Sequence, residues 1–446
     1  MISSPVLIDV SPRSLLRLAV PAALSVLLNN AYRGVDQYVV QWIGPDAQAA
    51  IGASTFVLIF FFSLFSLVSA GVGPLVARTV GAQDFVALRS ILGHGLIAAV
   101  IVAICVWTMA GLGADLVVSL VGLQGESAEL MAIYLRSLAW VGLPLALGPL
   151  VDAAFIAMGE VRLPMVLHFV ATVINGILSW VFIYPLGMGI AGAAFASGVS
   201  RGLAVLIGGW VLARRAGMTP GDLKVGLDSC VREWLRILRI GFPIAANTAA
   251  YALVYWALLR VAISPLGPAV NAALGIGFSA LEGVAWPVFH GVALASASMA
   301  GRALGAGRVD LAEKVVIAGI PMALFCGFFA AFSFYFGAEF LCGLFTDDPE
   351  TFEQAVLYAR ILAFSQVFVA LEALFEGVLA GAGDTKTVFW WSTPINVFRV
   401  PLGWLAAFPL GFGAAGIWWV INLTTVLKGM GKMRAVLLGG WKRIEV

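Results

Sequence analysis

Charge is what this chain has least of. Of its 446 residues only 11% are charged and 61% are hydrophobic, where ordinary soluble domains carry about 25% charged residues. The shortage excludes a soluble core-and-surface partition, and a net charge of +2 supplies no basic field for nucleic acid. Cysteine is scarce too. Cys105, Cys230, Cys326 and Cys342 form no CxxC pair, so neither a disulfide framework nor a metal site follows. The three histidines, His94, His168 and His290, lack metal-ligand spacing. There is no HExxH, no GxSxG in a helix-start context and no protease-like aspartate pair, which argues against a membrane-embedded enzyme. Residues 1–12 are too polar for the core of a cleaved signal, so the first helix is expected to serve as an uncleaved insertion signal.

What is abundant is apolar length. Mean hydropathy is +1.00, and apolar runs long enough to cross a bilayer recur along the whole chain, which predicts an all-α polytopic membrane protein. The same continuous runs exclude a membrane β-barrel, whose strands alternate. Twelve transmembrane helices are expected, near 13–42, 48–78, 87–112, 128–158, 163–185, 190–214, 234–263, 270–300, 311–337, 352–382, 387–409 and 414–438. With that assignment 20 of the 26 basic residues fall on the side of the termini, including Arg78, Arg302 and the tail lysines Lys428 and Lys432. The opposite loops hold only acids, such as Asp115, Glu126 and Asp347. The positive-inside rule then places both termini in the cytoplasm. A linker at 216–233 ends in an amphipathic basic run that Asp228 can cap.

The halves repeat. AIYLRSLAW (132–140) matches VLYARILAF (356–364), and LVDAAFIAMGEV (150–161) matches LFEGVLAGAGDT (374–385), both at an offset of 224. LGMGIAG and LGFGAAG, and ARTVGA and GRALGA, keep the same offset. The chain therefore reads as two six-helix lobes, 1–215 and 234–446. An even number of spans per repeat keeps both lobes in one orientation, with a pseudo-twofold axis along the membrane normal. This is the plan of a rocking transporter. A channel is less well supported, because no filter-like loop or ring of charges is present.

Five acids fall inside expected spans: Asp36, Asp152, Glu282, Glu372 and Glu376. An ionised aspartate in a bilayer costs about 2.5–3.5 kcal/mol on insertion scales, so each needs a partner, water or a proton. Asp36 is a coupling-ion candidate, with an ion pair to Arg33 as the structural alternative. Glu282 is its rival, set against a buried pair with Arg260 or Arg399. Glu372 has no acidic twin and is a further coupling candidate. Asp152 and Glu376, at an offset of 224, are expected to hold loop arginines and lock an inner gate. Asn175 and Ser179 share a helix face and could hydrate a cavity, ligate Na⁺ or bond between helices. Tyr32, Tyr251, Tyr255, Trp256 and Trp286 could cradle organic cations, or simply pack. His290 reads as a helix-contact residue, and the twins Arg136 and Arg360 as snorkelling side chains.

Several motifs taken together resemble the multidrug and toxic compound extrusion (MATE) family. They are Pro21 with Asp36 fifteen positions later, WIGPDAQAAIGAS, GVGPLVARTVGAQD and its twin ASASMAGRALGAGRVDLA, LAGAGDTKT, and FRVPLGWL. The resemblance implies export of bulky, often cationic organic compounds in exchange for H⁺ or Na⁺, with no other cofactor. It further implies small organic substrates, a lipid environment, a monomer, and the plasma membrane (the inner membrane of a bacterium). Asp36 matches the family's ion-binding aspartate. Asn175 is kept, but Ser179 stands where one branch has a second aspartate, and Ser197 replaces a threonine. Tyr251 stands eight residues after Pro243, where some branches have a glutamate. Arg399 belongs to an R-[IV]-P-L pattern and is expected to be a structural counter-charge. A lipid or glycan-carrier flippase of the same superfamily is the alternative, although those proteins usually have fourteen helices.

Overall fold

The computed structural model describes residues 9–223 and 227–444, without the side chains of Arg33, Thr55, Phe56, Leu227, Asp228, Ser229, Ser279 and Ala280. The expected Arg33–Asp36 ion pair and the Asp228 cap therefore lie outside the described residues, as does Lys224. Everything regular among the described residues is helical. In lipid each backbone donor must find its acceptor within its own segment, and the helix does this locally.

The helices are α1 (Pro12–Val40), α2 (Pro45–Gly81), α3 (Phe85–Leu112), α4 (Ala114–Val121), α5 (Gly125–Val141), α6 (Leu143–Ala157), α7 (Arg162–Ile183) and α8 (Ile190–Ala216). They continue with α9 (Leu227–Leu258), α10 (Pro268–Ile276), α11 (Glu282–Gly305), α12 (Val309–Phe336), α13 (Ala338–Gly343), α14 (Pro349–Ala363), α15 (Gln366–Gly381), α16 (Thr385–Ala407) and α17 (Gly413–Leu438). Among the described residues eight helical segments are long and apolar enough to cross a membrane on their own. Two more arise if α5 with α6, bent by 59°, and α14 with α15, bent by 55°, each count as one span. With α16 and α17, long enough but more polar, these make up the twelve segments expected from the sequence. Their outer surface is apolar, with side chains such as Met109, Phe325, Phe332 and Phe336 more than 60% exposed, as a lipid-facing wall requires.

The sequence repeat is a repeat of elements. Helix α3 corresponds to α12, the short α4 to α13, α5 to α14, and α7 to α16. Turn chemistry repeats with them. Gly159 and Gly383 both take positive φ (84° and 86°), closing the turns after α6 and α15, where a Cβ would be strained. Arg136 and Arg360, expected to snorkel, each bond an exposed acid of the preceding short helix: Asp115 at 2.6 Å and Glu339 at 2.7 Å. The linker turn is held by Asp222, which accepts from Thr219 N and Oγ1. Those bonds, the backbone one foremost, and Arg89 keep its carboxyl below the usual range.

By packing, the chain groups into two compact units. One is Leu28–Ala245. The other contains the described residues up to Leu27 together with those from Ala246 onwards. In the first unit the opening half of α9 lies directly on α2: a Cβ on Gly241 would stand 1.8 Å from Leu67 O, and one on Gly71 would stand 2.2 Å from Ile237 O. In the second unit the opening half of α1 lies on α11, where a Cβ on Gly291 would stand 2.6 Å from Ala19 O. Small residues at such crossings let two backbones touch, which is how helices associate in lipid. Gly241→Leu must force α9 off α2. Overpacking of this kind costs about 1–3 kcal/mol or more, and a lowered melting temperature of the detergent-solubilised protein is the expected reading.

Candidate functional site

Each unit buries its own polar cluster. In the first, Asp36 on α1 is 4% exposed. Its Oδ1 accepts from Asn175 Nδ2 on α7 at 2.7 Å and, more distantly, from Ser179 Oγ at 3.5 Å. Its Oδ2 accepts from Ser197 Oγ on α8 at 3.0 Å. The helical spacing explains the convergence: Asn175 and Ser179 are one turn apart on α7 and both are fully buried, pointing at one carboxylate. Among the described side chains no cation lies within ion-pair distance of Asp36. Among the described residues the carboxylate is thus held by neutral donors. Hydrogen bonds to a charged group contribute about 1.5–3 kcal/mol each, enough to offset burial while leaving the group chemically available.

One turn before Asp36, Tyr32 is buried, with its hydroxyl on Ser200 Oγ (2.5 Å) and Ser197 O (3.0 Å). The guanidinium of Arg201 lies 4.1 Å over its ring, so that ring face is taken by the protein's own cation. Pro21 sits inside α1, and α1 is unbroken through it. Asp152, expected to hold a loop arginine, instead pairs with His168 Nε2 at 2.9 Å. A water-sized cavity of about 30 Å³ is lined by Tyr32, Asp152, His168 and Arg201 among apolar neighbours.

In the second unit Glu282 begins α11, straight after a π-helical turn at Gly277–Leu281. The missing side chain of Gly277 admits the ring of Tyr358, whose hydroxyl donates to Glu282 Oε1 at 2.9 Å. Glu282 pairs with neither Arg260 nor Arg399; Arg260 lies 5.8 Å over Trp256. Arg399 is 2% exposed and donates to Thr424 Oγ1 (2.8 Å), Thr425 Oγ1 (2.9 Å) and Tyr255 Oη (3.3 Å). It is a buried charge on hydroxyls rather than a counter-charge in contact with an acid. Tyr255 packs between Tyr251 and Phe278, and Trp286 stacks on His290 at 4.6 Å.

Glu372 is not free to carry an ion alone. Lys432 Nζ reaches its Oε1 at 2.7 Å and Lys428 Nζ at 3.1 Å, and Lys432 also binds Glu376. Lys432 is fully buried. These two lysines belong to the interior of α17, not to a basic tail, and Glu376 holds one of them rather than a loop arginine. Four charges that cancel can be buried together where one could not. A readable signal was present: Glu372 and Glu376 are four apart on one span, and Lys428 and Lys432 four apart on another. Arg201, Ser200 and Tyr358 carry no comparable local pattern.

The family model MatE matches residues 21–181 and 243–405, once in each half. Curated relatives called "Probable multidrug resistance protein NorM" are 24% identical in Thermotoga maritima (97% of this chain, 94% of that protein) and 29% identical in Pseudomonas putida (92% and 91%). Among solved structures, the outward-facing conformation of a multidrug resistance MATE family transporter of the MOP superfamily superposes with a TM-score of 0.86 at 21% identity, covering 96% of each chain. The Vibrio cholerae MATE transporter VcmN in its bent form gives 0.86 at 19% identity, again over 96% of each chain. With the family model matching both halves of an all-helical, internally repeated bundle, the chain belongs to the MATE family of membrane transporters.

Proposed function

We propose that this protein is a cation-coupled antiporter that exports bulky organic compounds, cationic ones included, by alternating access, with Asp36 as the residue that takes up and releases the coupling ion. The observation that carries this reading is the carboxylate itself. It is buried in a membrane-spanning unit, and its described partners, Asn175, Ser179 and Ser197, are all neutral. A carboxylate locked to lysines, as Glu372 is, has its charge cancelled in place. Among the described side chains none forms an ion pair with Asp36, so a mobile cation is the natural counterpart of its charge. The hydroxyls of Ser179 and Ser197 can donate to the ionised acid and accept from its protonated form, so the same cage serves a proton-carrying acid in both of its states. The chain's likeness to bacterial relatives supports the bacterial inner membrane, and the asymmetry of basic residues in the loops supports cytoplasmic termini. Glu282, fixed by Tyr358 near the aromatic group of Tyr251, Tyr255 and Phe278, is the acid placed to meet a cationic substrate in the second unit.

In proteoliposomes carrying a pH gradient, Asp36→Asn is expected to lower proton-driven substrate transport by about tenfold or more, with substrate binding retained. Glu282→Gln is expected to weaken substrate binding first. Full gradient-driven transport by both variants would overturn the reading. The lysine cluster behaves differently. Lys432→Met leaves two buried carboxylates short of a cation, and breaking such a set costs about 3–5 kcal/mol. Its signature is a lower melting temperature in detergent, whereas Asp36→Asn melts close to the parent.

A further inference from the structure

The cavity in the first unit joins two groups that the ion site alone does not explain. At one end stands the Asp152–His168 pair, with side chains 30% and 20% exposed. Asp152 lies five residues before the end of α6, and His168 six residues after the start of α7, so both sit within about 9 Å of the loop at 158–161. At the other end stands Tyr32, whose hydroxyl meets Ser200 Oγ and Ser197 O, while Ser197 Oγ donates to Asp36. Between them is room for about two waters, at roughly 10–15 Å³ for each. Arg201 lines the same space, and its buried Nε–H has no acceptor among the described residues, so water in the cavity is the acceptor within reach.

We propose that the Asp152–His168 pair is the relay through which protons pass between Asp36 and the aqueous phase at the 158–161 loop. The inference rests on the reading of Asp36 as a proton carrier. Every group along the route, from imidazole to water, phenol and serine hydroxyl, can both accept and donate a proton. On release, the proton leaves the carboxylic acid of Asp36 for the Ser197 hydroxyl, a water carries it across to the paired Ser200 and Tyr32 hydroxyls, and the cavity water takes it on. It reaches an imidazole nitrogen of His168, and the imidazolium then gives its proton to the solvent. Asp152 orients the ring and stabilises the imidazolium while it lasts. The fixed charge of Arg201 beside the cavity keeps the proton from lodging midway. The titratable and charged groups facing this route are Tyr32 on α1, Tyr134 on α5, Asp152 on α6, His168 on α7 and Arg201 on α8. Helices α2 and α3 also pack on α6 but contribute no residue to the lining.

The test measures proton-coupled transport in proteoliposomes with a pH-sensitive dye, comparing the parent with Asp36→Asn, His168→Ala, His168→Gln and Asp152→Asn. His168→Ala and His168→Gln are expected to slow turnover by about tenfold or more, with equilibrium substrate binding within twofold of the parent. Added imidazole should restore a large part of the rate in His168→Ala and none in Asp36→Asn, because a diffusible base can replace the relay but not the carrier. Asp152→Asn should slow turnover less than loss of the ring. If Asp36→Asn still transports with coupling, the carrier reading itself fails. If Asp36→Asn is inactive while both His168 variants run at the parental rate, the relay is overturned. A slow His168→Ala that imidazole does not rescue also overturns it, since a merely structural histidine would behave that way.

Discussion

The first unit is built around the cost of keeping one carboxylate out of water. Asp36 comes from α1, Asn175 from α7 and Ser197 from α8, so three helices must converge to about one hydrogen-bond length for the acid to be tolerated. That requirement explains why α7 and α8 pack closely and why α8 is rich in small buried residues, among them Ala193, Ala194, Ala196, Ser197 and Gly198. A larger side chain there would hold Ser197 away from the acid. At Gly198 an added Cβ would stand 2.3 Å from Val141. The polar site and the packing around it are one construction.

The second unit reuses the plan with the charge changed. Asn175 corresponds to Arg399, Ser200 to Thr424 and Arg201 to Thr425, all at an offset of 224, and Tyr32 corresponds to Tyr255 at 223. In the second unit Arg399 draws these positions together, bonding Thr424, Thr425 and Tyr255, whereas in the first Asn175 bonds Asp36 while Tyr32 meets Ser200 and Arg201. Where the first unit holds a carboxylate on neutral donors, the second holds a guanidinium on neutral acceptors. Of the second unit's acids in expected spans, Glu376 keeps the position of Asp152 but binds a lysine, Glu282 rests on Tyr358, and Glu372 on two lysines.

The architecture was largely legible, because span length and a 224-residue repeat are properties of the sequence alone. The twelve expected segments match helices or bent pairs, and the turn glycines Gly159 and Gly383 mark their own positions. Asp36, Asn175, Ser179 and Ser197 could be singled out by polarity in apolar surroundings, and the structure brings all four together. The pairings were harder to read. Lys428 and Lys432 look like a basic tail until α17 is seen to carry them inwards, and His168 looks isolated until α6 brings Asp152 to it. Contacts between residues distant in sequence depend on how helices rotate about their axes, which composition and periodicity leave open.

The interlocked packing of α1 and α9 also bears on biogenesis. Helix α1 is a single helix whose residues up to Leu27 pack with the second unit, and α9 runs on from a stretch, ending at Ala245, that packs with the first. The backbone crossing at Gly71 is occupied by Ile237 and Gly241, which leave the ribosome after the first six spans have been made. An amino-terminal half ending at the 216–233 linker would therefore enter the bilayer with that groove open. Maturation of the first half has to wait for the start of the second, so the chain is a single unit of synthesis despite its two-fold repeat.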